Sequence, residues 1–361
     1  MDLLSYIIVG IFSLYGLVLL YITYLTKKKG EKGAFLNNLI NSLVLLISIS
    51  INLVIINLFH ITNINLIIYP FDILILGFIL LFLPFFYLLI HREKKRISLR
   101  CPDTRKNDLL PPKELPLKYE IYRKLTHLIV LGIIFFYFTL GFLVQNLFNY
   151  LFKLLPDFFS DLFFSIYNNI PDKMIFTQYL VVCLVGISLI GFFTAELIRI
   201  LKPELYPLKA VNRILREKER HMRFGPHISM GVGCFSIIII YGVIQPIGPL
   251  IICTSMTMAI FGDMTANLFG RTFGHKKIRN TNKTYAGLIA GIVVAFFSGI
   301  IVLLLLNGLS INLNLLSIFL LPSIGALLIG LLDFLDLEID DNLTYNFIIS
   351  TVLFFISFII I

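Results

Sequence analysis

Repeated apolar runs of about 20 residues constrain the fold of this chain more than any other feature. A run of this length crosses the hydrocarbon core of a bilayer as a helix, and only helices or closed barrels satisfy their backbone polar groups there. With 58% hydrophobic and 14% charged residues in 361, the chain does not have the composition of a soluble globular domain. We therefore predict an all-α fold, a polytopic transmembrane helical bundle of about ten spans. The predicted spans are roughly 4–25, 38–59, 69–90, 125–145, 177–198, 227–244, 246–262, 285–306, 315–335 and 342–361.

The Lys and Arg residues lie almost entirely in alternate loops between these runs. All but Lys153 and Lys173 of the 30 fall in four stretches, 26–37, 91–124, 199–226 and 271–283. By the positive-inside rule these loops face the cytoplasm, and with ten spans both termini face outward. The same loops account for the net charge of +9, so we predict no nucleic-acid partner. Richness in Ile, Asn and Lys is typical of an AT-rich prokaryotic genome, which predicts the cell membrane as the location.

Two charged stretches outside the spans predict surface helices. The stretch 209–223 contains a run of basic and acidic residues from Arg213 to Arg220. That run predicts an amphipathic helix at the inner membrane surface. On the opposite side, 146–176 mixes aromatic residues with acids, which predicts a helix lying on the outer surface.

The stretch 261–287 is the first candidate for chemistry. It leaves an apolar run at Asp263 and continues through Gly270 and Gly274. Five cations follow, namely Arg271, Lys276, Lys277, Arg279 and Lys283. Glycines let backbone N–H groups approach phosphate oxygens, and Lys and Arg offset the phosphate charge. The pattern suits a metal-bound phosphate, and the alternative is an ordinary positively charged cytoplasmic loop.

Two further stretches carry charge at the same predicted face. Arg123, Lys124 and His127 begin the fourth span, where a membrane anchor explains the two cations but not the histidine. Five acids lie between Asp333 and Asn342, at the inner end of the ninth span. With Asp263 they predict oxygen ligands for Mg²⁺, and the alternative is a solvated acidic turn. Together these stretches favour chemistry between a water-soluble phosphate donor and a lipid, since phosphoryl transfer needs positioning and charge neutralisation.

Four segments in order resemble a known family. They are RKLTH (123–127), GDMTANLFGRTFGHKKI (262–278), NKTYAG (282–287) and IDDNLTYNF (339–347). They resemble the membrane lipid-alcohol kinases that include dolichol kinase, phytol and farnesol kinases and the CTP-dependent diacylglycerol kinase. The resemblance covers roughly 120–361, which predicts a lipid-kinase-like catalytic membrane domain at 119–361. Residues 1–118 are then an N-terminal three-span extension with a basic cytoplasmic loop.

The resemblance implies transfer of the terminal phosphate of a nucleoside triphosphate, commonly CTP rather than ATP, to a lipid hydroxyl with Mg²⁺ or another divalent cation. The catalytic residues it implies are Asp263, Lys283, Arg123, Lys124, Asp340 and Asp341. Asp263, Asp340 and Asp341 are the implied metal ligands or orient the hydroxyl, and the cations contact phosphates. The residues implied to bind the nucleotide are Gly270, Arg271, Gly274, Lys276, Lys277, Asn282, Thr284, Asn342 and His127. The lipid itself is left open among dolichol, geranylgeraniol, another isoprenoid alcohol and diacylglycerol.

Two positions depart from the family pattern. Ala286 stands where the lysine motif usually has glutamate, which affects the expected activity or nucleotide preference. Asp333 stands where the family often has glutamate, so the carboxylate is kept on a shorter side chain. Two other functions stay open. One is a cytidylyltransferase that makes a CDP-lipid, and the other is an ion-coupled transporter with Asp72, Glu196 and Asp263 along its path.

Overall fold

A computed structural model gives the architecture of the chain. It describes residues 3–58, 66–98, 117–167, 172–209, 211–216, 219, 221–279, 281, 283–309 and 311–361. These residues are helical throughout the bundle and include no strand, which confirms the predicted all-α class. The helices are α1 (Leu3–Lys28), α2 (Lys32–Leu58), α3 (Phe71–Ser98), α4 (Leu117–Ile134), α5 (Thr139–Lys153), α6 (Asp157–Tyr167), α7 (Lys173–Leu201), α8 (Pro226–Tyr241), α9 (Ile247–Phe273), α10 (Tyr285–Leu306), α11 (Leu315–Leu335) and α12 (Asp341–Ile360).

Eight of the described helices are long and apolar enough to cross a membrane, or nine if a bent pair counts as one span. The protein is thus a multi-pass helical bundle, but ten spans is too high a count by this measure. The predicted span 125–145 is the bent pair, Tyr119–Tyr137 and Thr139–Lys153, which meet at an angle of 65°. The predicted span 227–244 is α8, which has only 16 residues. Its neighbours in the bundle cover it, so α8 need not be as long as a helix that faces lipid.

The described part of 209–223 is not the continuous surface helix that the sequence predicted. The chain forms a short 3₁₀ turn at Val211–Ile214, and Leu215 is then buried. Arg216 and Glu219 form ion pairs with residues of α4 and hold the chain against that helix. These contacts favour the observed conformation over a continuous helix on the membrane surface. On the other side, 146–176 holds the end of α5 and the short α6, whose Phe158 and Phe159 are exposed.

The described parts of the four basic loops lie at one end of the bundle. Lys29 of the first loop approaches the Met222 sulfur at 3.7 Å, and Glu93 pairs with Lys209 at 3.1 Å. Arg271 in turn lies 3.5 Å from Glu120. The alternation of basic and uncharged loops along the sequence is therefore matched in space. That this end faces the cytoplasm, with both termini outside, stays a prediction.

The centre of the bundle is formed by α8 and the first half of α9. Every residue of α8 except His227 is buried. α9 is then followed by α10, which returns along it with their backbones in contact. A Cβ on Gly287 would lie 2.5 Å from the Ala266 carbonyl oxygen and 3.0 Å from the Gly270 Cα. Small residues spaced by four on both helices permit this approach, as in other membrane helix pairs.

The α9–α10 contact generates a stability prediction. Gly287→Ala places a methyl group against backbone atoms, so the two helices must separate and lose packing. We expect it to destabilise the protein by about 1–3 kcal/mol, measured as a lower Tm in detergent. Gly77→Ala is the matched control, because a Cβ at Gly77 of α3 meets nothing within 4 Å. An equal fall in Tm for both variants would contradict the packing argument.

Candidate functional site

Lys124 and Asp263 form a buried ion pair between α4 and α9. The Lys124 ammonium contacts Asp263 Oδ2, and the two side chains are 4% and 10% exposed. The other carboxylate oxygen accepts a hydrogen bond of 2.7 Å from Asn267, one helical turn further along α9. Because an unpaired charge is costly in an apolar bundle, each residue stabilises the other. Two of the predicted catalytic residues are therefore in direct contact.

A second cluster of charges lies around Glu120 of α4, and we call it the Glu120 cluster. Its members are Glu120, Arg123, Arg216, Glu219 and Arg271. Glu120 is fully buried and lies 2.9 Å from each of the Arg123 and Arg216 guanidinium groups. Glu219 lies 3.1 Å from Arg123. The cluster contains three cations and two acids, so it carries one surplus positive charge.

A third group, the carboxylate cluster, surrounds Lys283 just before α10. The Lys283 ammonium lies 2.9 Å from Asp333, 3.1 Å from Asp336 and 3.5 Å from Asp341. Burial alone would lower the pKa of Lys283, but the carboxylates of Asp341 and Asp333 outweigh burial and raise that pKa above its usual range. Tyr345 also donates a hydrogen bond of 3.1 Å to Asp333. One cation among three acids leaves a surplus of negative charge.

The three groups adjoin at the end of the bundle that holds the basic loops. Asp341 of the carboxylate cluster interacts electrostatically with Asp263 of the buried pair. Asp263 interacts in turn with Arg123 of the Glu120 cluster and with His127. The structure thus brings together the first and last segments of the chain that the family resemblance singled out.

Asp340 and Asn342 make local contacts at the start of α12. Asp340 caps the helix, since its Oδ1 accepts hydrogen bonds from the Asn342 backbone N–H at 3.0 Å and from the Asn342 amide at 2.6 Å. The Asp340 backbone N–H donates to Asn37 Oδ1 at 2.9 Å. The cap fixes the backbone conformation at the start of α12 and so positions Asp341. Among the predicted acids, Asp341 and Asp263 lie closest to the cations, and Asp340 orders the turn beside them.

The glycines of 261–287 and Thr284 serve helix packing. Thr284 caps α10, accepting from the Gly287 N–H at 3.2 Å and donating to the Gly270 carbonyl at 3.4 Å. A Cβ on Gly274 would lie 2.2 Å from that same carbonyl oxygen. The close backbone approach that the glycines permit is therefore between α9 and α10. The sequence alone assigned it to phosphate.

The remaining cations of the α9–α10 loop lie around a tight turn. The Tyr285 N–H bonds the Lys276 carbonyl at 3.1 Å, and the Lys276 ammonium lies 5.7 Å from the Tyr285 ring centre. Lys277 pairs with Thr284 through its backbone and has an exposed side chain. Asn282 lies outside the described residues. The Lys276 and Lys277 side chains can therefore reach an anion from solvent, whereas the Lys283 ammonium is paired with the acids of the carboxylate cluster.

The described residues contain no group of three or more His, Cys, Asp or Glu side chains arranged to hold a metal ion. Of the predicted ligands, Asp263 is bound to Lys124, Asp341 is bound to Lys283, and Asp340 caps α12. Their oxygens are nonetheless the donor type that Mg²⁺ prefers. A metal at this site has to take the place of a lysine ammonium on the carboxylates.

An apolar cavity of about 90 Å³ opens beside the charged groups. It lies between α4, α7 and α8, and its walls include Val130, Leu189 and Met230. Arg123 and His127 also line it, so the cavity reaches the Glu120 cluster and the buried pair. An apolar chamber of this size, meeting a charged site, has room for a short apolar segment next to a polar group.

Sequence reasoning missed several residues that hold the site together. Glu120 and Glu219 balance the arginines, and Asn37 joins α2 to the turn before α12. The spacing of Glu120 and Arg123 by three on a helix could have indicated their pairing. No local signal links Asn37 to Asp340, which are 303 residues apart along the chain.

Comparisons of the whole chain with protein-family profiles, with curated proteins and with solved structures found no match. The function of the chain is therefore inferred from its residues and their geometry, together with the resemblance of the four short segments.

The carboxylate cluster generates a prediction about pH. Lys283→Met leaves three acids without their cation, and we expect a loss of about 3 kcal/mol in stability, since the cluster is only partly exposed. The pKa of Lys283 is raised in the folded protein. Its stabilisation is therefore complete below its unfolded pKa of about 10.4 and is lost as the pH rises through the higher folded value. Thermal unfolding of both proteins between about pH 7 and 11 measures this.

The control for Lys283→Met is Lys277→Met, which removes an exposed cation from the same loop. It should leave Tm unchanged within error at every pH. A Lys283→Met variant as stable as wild type at neutral pH would contradict the described ion pairs. So would a difference that does not shrink above about pH 10.4.

Proposed function

We propose that the protein is an integral membrane lipid kinase. It transfers the terminal phosphate of a nucleoside triphosphate, with CTP as the preferred donor, to the hydroxyl of a polyprenol-type lipid such as dolichol. The preference for CTP and for a polyprenol comes from the resemblance of the four segments to lipid-alcohol kinases. The reaction type is supported independently by the charges and the cavity of the site.

One observation carries the proposal. Acids and cations from α4, α9, α12 and the α9–α10 loop meet at one end of an apolar bundle, beside an apolar cavity. Phosphoryl transfer requires the donor, the metal and the acceptor to be held together and their charge neutralised. A lipid alcohol additionally requires an apolar chamber that ends at the charges.

The distribution of charge fits the two parts of a metal–nucleotide complex. The Glu120 cluster has a surplus positive charge, which suits phosphate oxygens, and Arg guanidinium groups bind these in bidentate fashion. The carboxylate cluster has a surplus negative charge, which suits a divalent cation. The buried Lys124–Asp263 pair lies between the two clusters. Its ammonium suits the phosphate oxygens, and its carboxylate suits the divalent cation. Lys276 and Lys277 are placed to attract the nucleotide from solvent.

Asp263 and Asp341 are the residues that would hold Mg²⁺. The ion usually takes one or two carboxylates together with substrate phosphates, so a preformed group of three ligands is not needed. When bound, it would neutralise charge on the phosphates. Lys124 and Lys283, displaced from the acids, would then turn to the phosphate oxygens, which keeps every buried charge paired.

The ion-coupled transporter is less well supported by the positions of Asp72 and Glu196. Phe71 packs against Phe176 near the start of α7, which places Asp72 there, whereas Glu196 lies twenty residues further along α7. At 1.5 Å per residue they are about 30 Å apart. Glu196 is moreover bound by Arg199 at 2.6 Å. A cytidylyltransferase would use the same groups, and the position of the label separates it from a kinase.

The test is phosphate transfer by the purified protein in detergent with Mg²⁺. γ-Labelled CTP, γ-labelled ATP and α-labelled CTP are each offered with polyprenols and with diacylglycerol. The proposal predicts label on a polyprenol from γ-labelled CTP. Label from α-labelled CTP, with release of pyrophosphate, would identify a cytidylyltransferase. No label on any lipid, with cation-coupled flux in liposomes, would identify a transporter.

The variant Asp263→Asn tests the role of this carboxylate in the same assay. The amide cannot replace the carboxylate toward a metal, and we expect phosphate transfer to fall at least about 10²–10³-fold. Asp157→Asn, which changes an exposed acid of α6, is the control and should retain wild-type activity.

Because Asp263→Asn leaves Lys124 buried without its partner, the double variant Asp263→Asn/Lys124→Met is measured as well. Removing both charges restores much of the stability that the single change costs. The kinase proposal predicts a stable but inactive double variant. Wild-type transfer by that variant would exclude the buried pair from catalysis.

A further inference from the structure

A histidine–glutamate pair lies at the cavity, outside the groups already described. His227 is the second residue of α8, and its Nε2 lies 3.3 Å from Glu196 Oε2 on α7. The Glu196 carboxylate is almost fully buried and accepts hydrogen bonds from Arg199 at 2.6 and 2.7 Å and from the Gly225 N–H at 2.7 Å. A carboxylate held by these donors is a fixed orienting group for the imidazole.

The imidazole is held in place but remains accessible. A Cβ on Gly225 would lie only 2.5 Å from His227 Cε1, so the ring packs directly over that glycine. Its edge meets the Phe192 ring, with 5.4 Å between ring centres. The side chain is 23% exposed, and His227 is the one residue of α8 that is not buried.

The second ring nitrogen makes no hydrogen bond to the described residues. Nε2 is engaged by Glu196, and Nδ1 lies on the Gly225 side of the ring, 2.8 Å from where a Cβ on that glycine would stand. A carboxylate that accepts the proton of one imidazole nitrogen leaves the other as a proton acceptor. This is the arrangement by which enzymes orient a histidine base.

His227 also lies at the polar side of the cavity. Arg123 and His127 line the same cavity, whereas Val130, Leu189 and Met230 form apolar wall. The apolar part suits the hydrocarbon of an amphiphilic alcohol, which leaves the hydroxyl among the polar side chains. The described charged or titratable groups that face the imidazole or its partner are Glu196, Arg199 and Tyr206 around α7, Arg123 and His127 on α4, and Cys234 on α8.

We propose that His227 is the catalytic base that activates the lipid hydroxyl, an inference that rests on the proposed kinase function. Nδ1 takes the hydroxyl proton as the alcohol oxygen forms its bond to the γ-phosphorus. The bond from that phosphorus to the β–γ bridging oxygen breaks, and the nucleoside diphosphate leaves with the electron pair. His227 then releases the proton to water. Glu196 is the positioning residue that holds the imidazole.

The test compares His227→Gln with wild type in the γ-labelled CTP assay over a range of pH. A base of this kind contributes about 10²–10⁴-fold, so we expect the rate at saturating lipid to fall by at least 10²-fold. The KM for CTP should not change, and the acid limb of the pH–rate profile should disappear. His91→Gln, which alters an exposed histidine of α3, is the matched control and should behave as wild type.

A second variant addresses the position of the ring without removing it. Gly225→Ala pushes the imidazole off the glycine, because the added methyl group would otherwise overlap Cε1. It should lower the rate at saturating lipid and retain the acid limb. A loss of rate in both variants with an unchanged KM for CTP separates a role in the chemical step from a general disturbance of nucleotide binding.

Either of two results would overturn the inference and leave the kinase function intact. One is wild-type rate and pH profile in His227→Gln. The other is loss of the acid limb in His127→Gln alone, which would assign the base to His127. If wild-type protein transfers phosphate to no alcohol, the kinase proposal and this inference both fail.

Discussion

The need to pair charge inside an apolar bundle governs the architecture of this protein. Lys124 and Asp263 come from different helices, and neither side chain is stable in such surroundings without the other. The same requirement gathers arginines around Glu120 and acids around Lys283. Nearly every buried charge of the described site therefore has a partner within the protein. A ligand with opposite charges can bind by exchanging those partners at little net electrostatic cost.

The segments around the site are joined by hydrogen bonds to backbone carbonyls. The Arg199 guanidinium binds the carbonyls of Glu219 at 2.9 Å and Arg223 at 2.7 Å. Arg223 binds the Glu338 carbonyl at 2.9 Å, which links that loop to the turn before α12. Asn38 of α2 accepts from the Phe224 N–H at 2.9 Å. The first helices, which carry few chemical groups in the sequence, therefore help to hold the loop and the turn in position.

The class of fold could be predicted from the sequence because only helices and closed barrels can cross a bilayer. Apolar runs of about 20 residues and alternate basic loops are direct consequences of that medium. The helix α8 could not be distinguished from a span, because its apolar sequence is the same whether lipid or protein surrounds it. Gly270 and Gly274 were assigned to phosphate because the sequence alone does not distinguish a glycine that packs against a helix from one that packs against a ligand. Partners such as Asn37 and Asp340 could not be found, since their pairing depends on tertiary packing.

The site was predictable only in part for the same reason. Arg123, Lys124, Asp263 and Lys283 were recognisable because they lie in the segments that resemble the lipid-alcohol kinases. The acids that neutralise Arg123, and the Glu196–His227 contact, appear only when α4, α7 and α8 are brought together. The spacing of Glu196 and Arg199 by three residues on α7 is typical of a local pair, and the two residues do pair. It did not reveal that the same carboxylate also orients a histidine.

The most direct test of partner exchange is a structure with Mg²⁺ and a non-hydrolysable CTP analogue. The account predicts a triphosphate beside the Glu120 cluster, with Lys124 and Lys283 turned from Asp263 and Asp341 toward its oxygens. It also predicts Asp263 and Asp341 on the metal. A nucleotide bound elsewhere, with the Lys124–Asp263 and Lys283–Asp341 contacts unchanged, would contradict the assignment of this charged end as a phosphoryl-transfer site.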